Sequence, residues 1–373
     1  MTTSVALISG IDPSREVASG VFAYTIGLAK ALAKNGVHVK LVGIGSSGNL
    51  QSFGVDFLAV QDHPTTSLDF VLSIVKAAPS IQLSEDTVIH AQRPDNLAPF
   101  CISHVRNPKV VTLHGAHSDM VRMNKGDVVG QIYDQIESFS LKRADRIICV
   151  SKANLAHFQE KYPSLSGRMR LAYAGLDLDV LKPRHKGEAK AMLDIGKDAQ
   201  VILYAGRLDK EKKVDLILRA FKGVEARNER ALLMIVGEGT DEGKLRDLAT
   251  SLSLRRVQWR PTAARQELSL LLSAADATVI ASAQEGLPTI AMESLACGTL
   301  VVSTPVGIIP EIIKDGVNGY VVNDVSALSE IMEKALATSS SMSRNCAESV
   351  RRFSWESVAK EVMAVYDEAS SES

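Results

Sequence analysis

Four cysteines in 373 residues, Cys101, Cys149, Cys297 and Cys346, are too few for a disulfide framework and lack the close pairing that zinc ligation requires. That usage suits a reducing compartment. An excess of either charge is also missing: 42 Lys and Arg against 43 Asp and Glu leave a formal net charge of -1. No global field therefore steers the chain toward nucleic acid or a strongly anionic membrane, and any phosphate site must be local. No apolar run approaches the length of a membrane span, and the opening MTTSVALISG has neither the apolar length nor the basic lead of a signal peptide. The expected location is cytosolic, with peripheral contact at the inner face of a membrane left open. No Gly-x-Gly-x-x-Gly follows the first apolar run, where SGIDPSREVASG stands, which argues against a nicotinamide-dependent dehydrogenase. No Asp-x-Asp stands at a predicted strand end to hold a divalent cation, and the expected metal set is none.

What is present is the balance of a globular enzyme, 46% apolar and 23% charged. Short apolar runs ending in Gly, Ser or His alternate with helix-periodic segments, the pattern of strand, crossover helix and parallel strand. SVALISG, VHVKLVGI, TVIHA, KVVTLHG, DRIICVS and MRLAYAG form a first series. The polar stretch after Lys182 interrupts the pattern. VILYAGRL, ALLMIVGEG, RVQWR, DATVIAS, TLVVST and GYVV form a second series. Two such series predict an α/β chain of two facing doubly wound, Rossmann-like parallel-sheet domains, 1–181 and 182–352, with an interdomain cleft as the default ligand site. The end, 353–373, predicts an amphipathic helix that packs back across the domain boundary.

Two glutamates frame the stretch QEGLPTIAMESLACG. Glu285 falls in the loop before a helix that begins at Thr289 and stops at Gly298, and Glu293 falls about one turn inside it. They lie too far apart to share one metal from a single helix face. A carboxylate accepts from vicinal hydroxyls, so a sugar is the natural guest, with a dipole-offsetting charge and an ion-pair partner as the structural alternative. In AGRLDKEKKVDLILRA, Arg207 leaves a predicted strand end and Lys212 precedes a helix beginning near Val214. A guanidinium and an ammonium beside a helix N-terminus suit a phosphate or diphosphate. His114 ends KVVTLHG and is followed by glycine, a strand-end position that favours function over structure. His90 and His117 read as structural or peripheral.

With these residues in place, the sequence resembles the retaining, GT-B-fold sugar-nucleotide glycosyltransferases of family 4 (group 1 type), most specifically from AGRLDKEKK through VGEG to EGLPTIAMESLACGTLVVSTPVGIIPEII. The resemblance implies that Arg207 and Lys212 neutralise the donor diphosphate, that Glu285 holds hydroxyls of the transferred sugar and that Glu293 holds the ribose. Gly286, Leu287 and Thr289 would lend backbone N–H groups to sugar and phosphate, with Pro288 in the same turn lacking one. Gly20, opening the helix after SREVAS, would let the backbone approach the diphosphate, and His114 would line the donor sugar and the reacting centre. The chain departs from the pattern at Ala174 for asparagine, Lys213 for glycine, Ala281 for proline, and in RVQWRPTAAR, the loop near the base, which lacks Phe-x-Gly.

The implied reaction moves a glycosyl group, a hexosyl in the expected case, from a nucleoside diphosphate sugar to a hydroxyl with retention and without metal. The nucleotide sugar is a co-substrate, and no separate cofactor is expected. The acceptor is open among a glycan, a lipid-linked sugar and a small polyol, and the sugar, base and oligomeric state are open as well. Lys152, Lys161, Arg168 and Arg170 fit either a membrane surface or a solvated face. A phosphorylase of the same fold would need a Schiff-base lysine for pyridoxal phosphate, and no candidate stands out. A non-catalytic sugar-nucleotide-binding or scaffolding protein of the same fold is the competing reading.

Overall fold

The computed structural model describes residues 2–15, 20–63, 66–77, 81, 83–103, 105–115, 117–118, 121–122, 126–285 and 288–371. The chain divides into two units, Met1–Gly175 with Trp355–Ser373, and Leu176–Ser354. The crossover thus falls at Gly175, ahead of the Lys182 stretch where composition shifts, and the chain re-enters the first unit at Trp355.

The first unit holds β1 (Ser4–Ile8), β2 (His38–Ile44), β3 (Val55–Gln61), β4 (Val88–Ala91), β5 (Lys109–Leu113), β6 (Arg146–Cys149) and β7 (Met169–Leu171). They form one sheet in the order β3-β2-β1-β4-β5-β6-β7, every pair parallel. Strand β3 is absent from the six apolar runs of the sequence. It is a half-buried edge strand whose Asp56 and Gln61 break the continuous apolar run of a central strand. Central strands such as β4 and β6 are buried along their whole length because helices cover both faces. Ile8, Ile74, Ile89, Val111, Leu141 and Phe158 belong to the core they enclose.

The second unit holds β8 (Gln200–Ala205), β9 (Ala231–Val236), β10 (Val257–Arg260), β11 (Ala277–Ile280), β12 (Leu300–Ser303) and β13 (Gly319–Val321) in the order β10-β9-β8-β11-β12-β13, again all parallel. The winding direction reverses between β1 and β4 in the first sheet and between β8 and β11 in the second. Chain leaving the carboxyl ends of two such strands departs to opposite faces, and the crevice it opens is where doubly wound sheets bind ligands.

The terminal helix Trp355–Ser371 completes the first unit. It buries Val358, Val362, Val365 and Tyr366, and its Glu368 accepts from Arg146 Nε and Arg170 Nε, both at 2.9 Å. Trp355 fills the space left by two glycines: a Cβ on Gly27 would stand 2.1 Å from its ring, and one on Gly175 would stand 2.3 Å away.

One cap is strained. Lys213, at φ 52 and ψ 39, sits in the left-handed region at the start of the helix Val214–Arg227. A side chain there costs about 1–2 kcal/mol, partly offset by the about 0.4–1 kcal/mol that glycine loses from the unfolded chain. Lys213→Gly is expected to raise stability by about 0.5–1 kcal/mol, seen as a higher urea midpoint at unchanged slope. A lower midpoint would refute this account of the cap.

Candidate active site

The loops after β8 and β11 converge on one ion pair. Lys212, in the short turn Lys210–Lys212, places Nζ 2.5 Å from Glu285 Oε1. Ser282 Oγ donates to the same oxygen at 2.8 Å. Oε2 of Glu285 has no partner among the described residues. Ala283 N donates to Glu211 O at 3.0 Å, and Thr304 Oγ1 to Ser282 O at 2.8 Å, so the loops after β8, β11 and β12 are also tied together through backbone carbonyls.

Arg207 is the exposed member of this group. Its guanidinium pairs with Asp209 and reaches Glu211 Oε1 at 2.8 Å. Asp209 in turn accepts from Thr240 N at 3.0 Å and Thr240 Oγ1 at 3.1 Å. Partial burial pushes the Asp209 carboxyl up, but the Thr240 bonds and Arg207 outweigh it and hold it below the usual range. Tyr204 Oη donates to Arg207 O at 2.6 Å, and burial together with nearby Glu285 raises its phenol well above the ordinary value.

Glu293 stands apart from that pair. It lies in the helix Thr289–Ala296 with only 7% of its surface exposed. Its nearest cation is Arg265, 4.0 Å away, and its carboxylate accepts no hydrogen bond among the described residues. Burial raises its pKa against the pull of Arg265. Arg265 Nε is itself buried without a partner. Buried polar groups without partners are uncommon in folded chains, and ligand hydroxyls, which both donate and accept, would satisfy the Glu293 carboxylate and the Arg265 Nε–H together. Pro288 occupies the N-cap without a side-chain cap, so Thr289 begins a helix whose first N–H groups are uncapped by a side chain. At the other end Gly298, at φ 80, stops the helix as its sequence position predicts. Gly286 and Leu287 lie outside the described residues.

In the first unit, His114 follows β5. Its Nε2 meets Gln92 Oε1 at 3.0 Å, and its ring stands edge-on to Tyr24 at 4.8 Å. Burial, then the positive field of Arg93 and the neighbouring His117, hold its pKa down to about 3, so the imidazole is neutral at physiological pH. Gly20 opens the helix Gly20–Lys34 and is exposed. His90 is fully buried between Tyr366 Oη and Thr112 Oγ1, each at 2.7 Å, and His117 packs on Tyr133. Those are structural roles.

Two family models divide the chain between them: Glycosyltransferase Family 4 matches residues 18–180, and Glycosyl transferases group 1 matches residues 186–353. The chain belongs to the group 1 glycosyltransferases of family 4. The D-inositol 3-phosphate glycosyltransferase of Mycolicibacterium smegmatis is 25% identical across 97% of this glycosyltransferase and 89% of the relative. Further relatives of that name match over 43% to 56% of their own length. Among solved structures, sucrose-phosphate synthase from Thermosynechococcus elongatus superposes with a TM-score of 0.86 at 23% identity, covering both chains entirely. HepE from Anabaena in complex with UDP-glucose superposes with 0.76 at 17% identity over 98% of this chain and 99% of its own. The fold they share is GT-B.

The glycosyltransferase also contains site residues that its motifs did not announce. Gln92 follows β4 in HAQRPDN, at the reversal point beside β1, and that placement was the available signal. Arg265 begins the helix after β10, where no motif marks it. No motif gives Asp209 and Glu211 a role, yet they hold Arg207. A cavity of about 290 Å³ opens past β9 and β10, lined by Glu238, Glu242, Arg246, Trp259, Arg260 and Pro261, with the Arg246 guanidinium 4.7 Å from the Trp259 ring centre.

Proposed function

We propose that this glycosyltransferase transfers a hexosyl group from a nucleoside diphosphate sugar to a hydroxyl acceptor with retention, using fixed cations in place of a metal. The observation that carries the reading is the Lys212–Glu285 pair at the β8/β11 reversal point. It sets an ammonium for phosphoryl oxygens beside a carboxylate whose second oxygen can accept from sugar hydroxyls. Arg207 adds a second positive charge once a diphosphate draws it from Asp209 and Glu211. Uncapped N–H groups at Thr289 add to that positive field. Glu293 takes the ribose diol in this reading, the cavity beside Trp259 takes the base, and Gly20 and His114 serve from the first unit.

Bond breaking precedes and drives attack. The anomeric carbon loses its bond to the diphosphate oxygen, and charge growing on that oxygen is met by Lys212 and Arg207. The acceptor oxygen bonds to the same face of the carbon, and its proton passes to the departing phosphate. Neither carboxylate is arranged as the free nucleophile of a hydrolase pair: Glu285 is held by Lys212 and Ser282, and Glu293 faces Arg265. For the acceptor we favour a small phosphorylated polyol or sugar. Support comes from the names of two relatives, a D-inositol 3-phosphate glycosyltransferase and a sucrose-phosphate synthase.

Thermal shift against uridine and guanosine diphosphate sugars, followed by transfer assays with polyol and sugar phosphates, tests this reading. One donor is expected to raise Tm by several degrees, and transfer with it is expected to survive chelation within twofold. Loss of turnover in EDTA would remove the fixed-cation mechanism. Donor binding without transfer to any acceptor and without donor hydrolysis would favour the non-catalytic binder.

A further inference from the structure

We propose that Gln92 is a positioning residue for His114: its amide oxygen fixes the imidazole as the Nε2–H tautomer and leaves Nδ1 able only to accept a hydrogen bond from a ligand hydroxyl. The inference rests on the reading that His114 lines the transferred sugar. A carbonyl oxygen accepts and cannot donate, so the 3.0 Å contact between Gln92 Oε1 and His114 Nε2 requires the proton on Nε2. Nδ1 of His114 then holds a lone pair, and it has no partner among the described residues. A neutral imidazole with its one proton committed behind it cannot act as the acid of the reaction. Toward the site it offers a single acceptor.

What holds Gln92 lies behind it. Its amide nitrogen faces His90 Nε2 at 3.5 Å, and that nitrogen also meets Thr112 Oγ1 at 2.7 Å. His90 Nδ1 meets Tyr366 Oη at 2.7 Å. All four residues, Gln92, His90, Thr112 and Tyr366, are fully buried. With Gln92 and Thr112 donating to His90 Nε2, His90 carries its proton on Nδ1 and donates to Tyr366. A buried set of this kind is satisfied in one arrangement only if each member keeps its role, and the amide of Gln92 is the member that turns the chain's polarity toward His114.

Histidine-selective 15N labelling of the full chain reads the tautomer without any donor, with the His114 signals identified by their loss in His114→Gln. The expected wild-type result is a protonated Nε2 and a bare Nδ1, shifting to a tautomer mixture in Gln92→Leu and back in Gln92→Glu, which retains an acceptor oxygen. Once a donor is in hand, Gln92→Leu is expected to lower kcat on the order of tenfold with the donor KM within about threefold. In a His114→Gln background the same change is expected to cost nothing further. A proton on Nδ1 in the wild type, or an equal kcat loss in both backgrounds, overturns the proposal. Should Gln92→Leu not fold, the wild-type spectrum alone decides. Should no sugar nucleotide bind, the proposed function fails while the tautomer result still stands or falls by itself.

Discussion

Lys212→Ala is expected to lower kcat about 10²- to 10³-fold with the identified donor, the penalty seen when one preorganised stabiliser of a developing oxyanion is removed, about 2.7–4 kcal/mol. Lys212 and Glu285 are 17% and 15% exposed, so the ammonium works where water screens it little. Arg207→Ala should cost less, about tenfold, because the guanidinium is 52% exposed and must first leave Asp209 and Glu211. The split between constants is informative. Loss in kcat at constant donor KM places Lys212 on the leaving group in the transition state, whereas loss confined to KM places it on the ground-state donor. Lys212→Ala also strands a largely buried carboxylate with Ser282 as its one remaining partner among the described residues, so a lower Tm should accompany the kinetic loss. If Lys212→Ala keeps kcat within threefold of wild type, the diphosphate does not sit at this pair.

Gly237→Ala is expected to cost about 2–6 kcal/mol of stability. Gly237 leaves β9 at φ 137, and a Cβ on it would stand 1.9 Å from the backbone oxygen of Gly206. Overpacking costs about 1–3 kcal/mol and an unsuitable backbone region about 1–3 kcal/mol. Backbone cannot swing aside as a flexible side chain does, so relief must come from moving Gly206, and with it Arg207. Donor affinity is therefore expected to fall together with Tm. Gly243→Ala supplies the opposite sign. Nothing lies within 4 Å of its added methyl in the helix Glu242–Ser251, and exchange there should gain about 0.5–1 kcal/mol. Chemical denaturation of the two variants side by side checks both, and equal stability would mean the β8 and β9 ends are not in close approach.

The central strands were readable because strands buried on both faces are uninterrupted apolar runs, as ALLMIV of β9 shows. Strand β3 was not, because an edge strand needs apolar residues on only part of its length, and Asp56 and Gln61 then look like loop. The site divides the same way. Arg207, Lys212, Glu285 and Glu293 are charged residues beside strand ends or early in a helix, where charge is informative. Gln92 and Arg265 were hidden because their roles come from neighbours distant in sequence: Gln92 gains meaning from His114 and His90, and Arg265 from Glu293. The counter-ions Asp209 and Glu211 show a further limit, since a short charged loop has many pairings and only the backbone path selects one. The terminal helix shows what periodicity can do: the apolar stripe of Val358, Val362, Val365 and Tyr366 is the face that the structure buries.

That helix belongs to the first unit although the whole second unit separates it from Gly175. On a ribosome the second unit, continuous from Leu176 to Ser354, has all its strands available before the first can close. Until the chain beyond Ser354 emerges, the nascent first lobe lacks the Tyr366 hydroxyl that meets His90 Nδ1, the counter-ion shared by Arg146 and Arg170, and the indole that fills the gap at Gly27 and Gly175. Synthesis order and completion order are therefore reversed, and the half that begins first is the half left exposed to chaperones and proteases until the end.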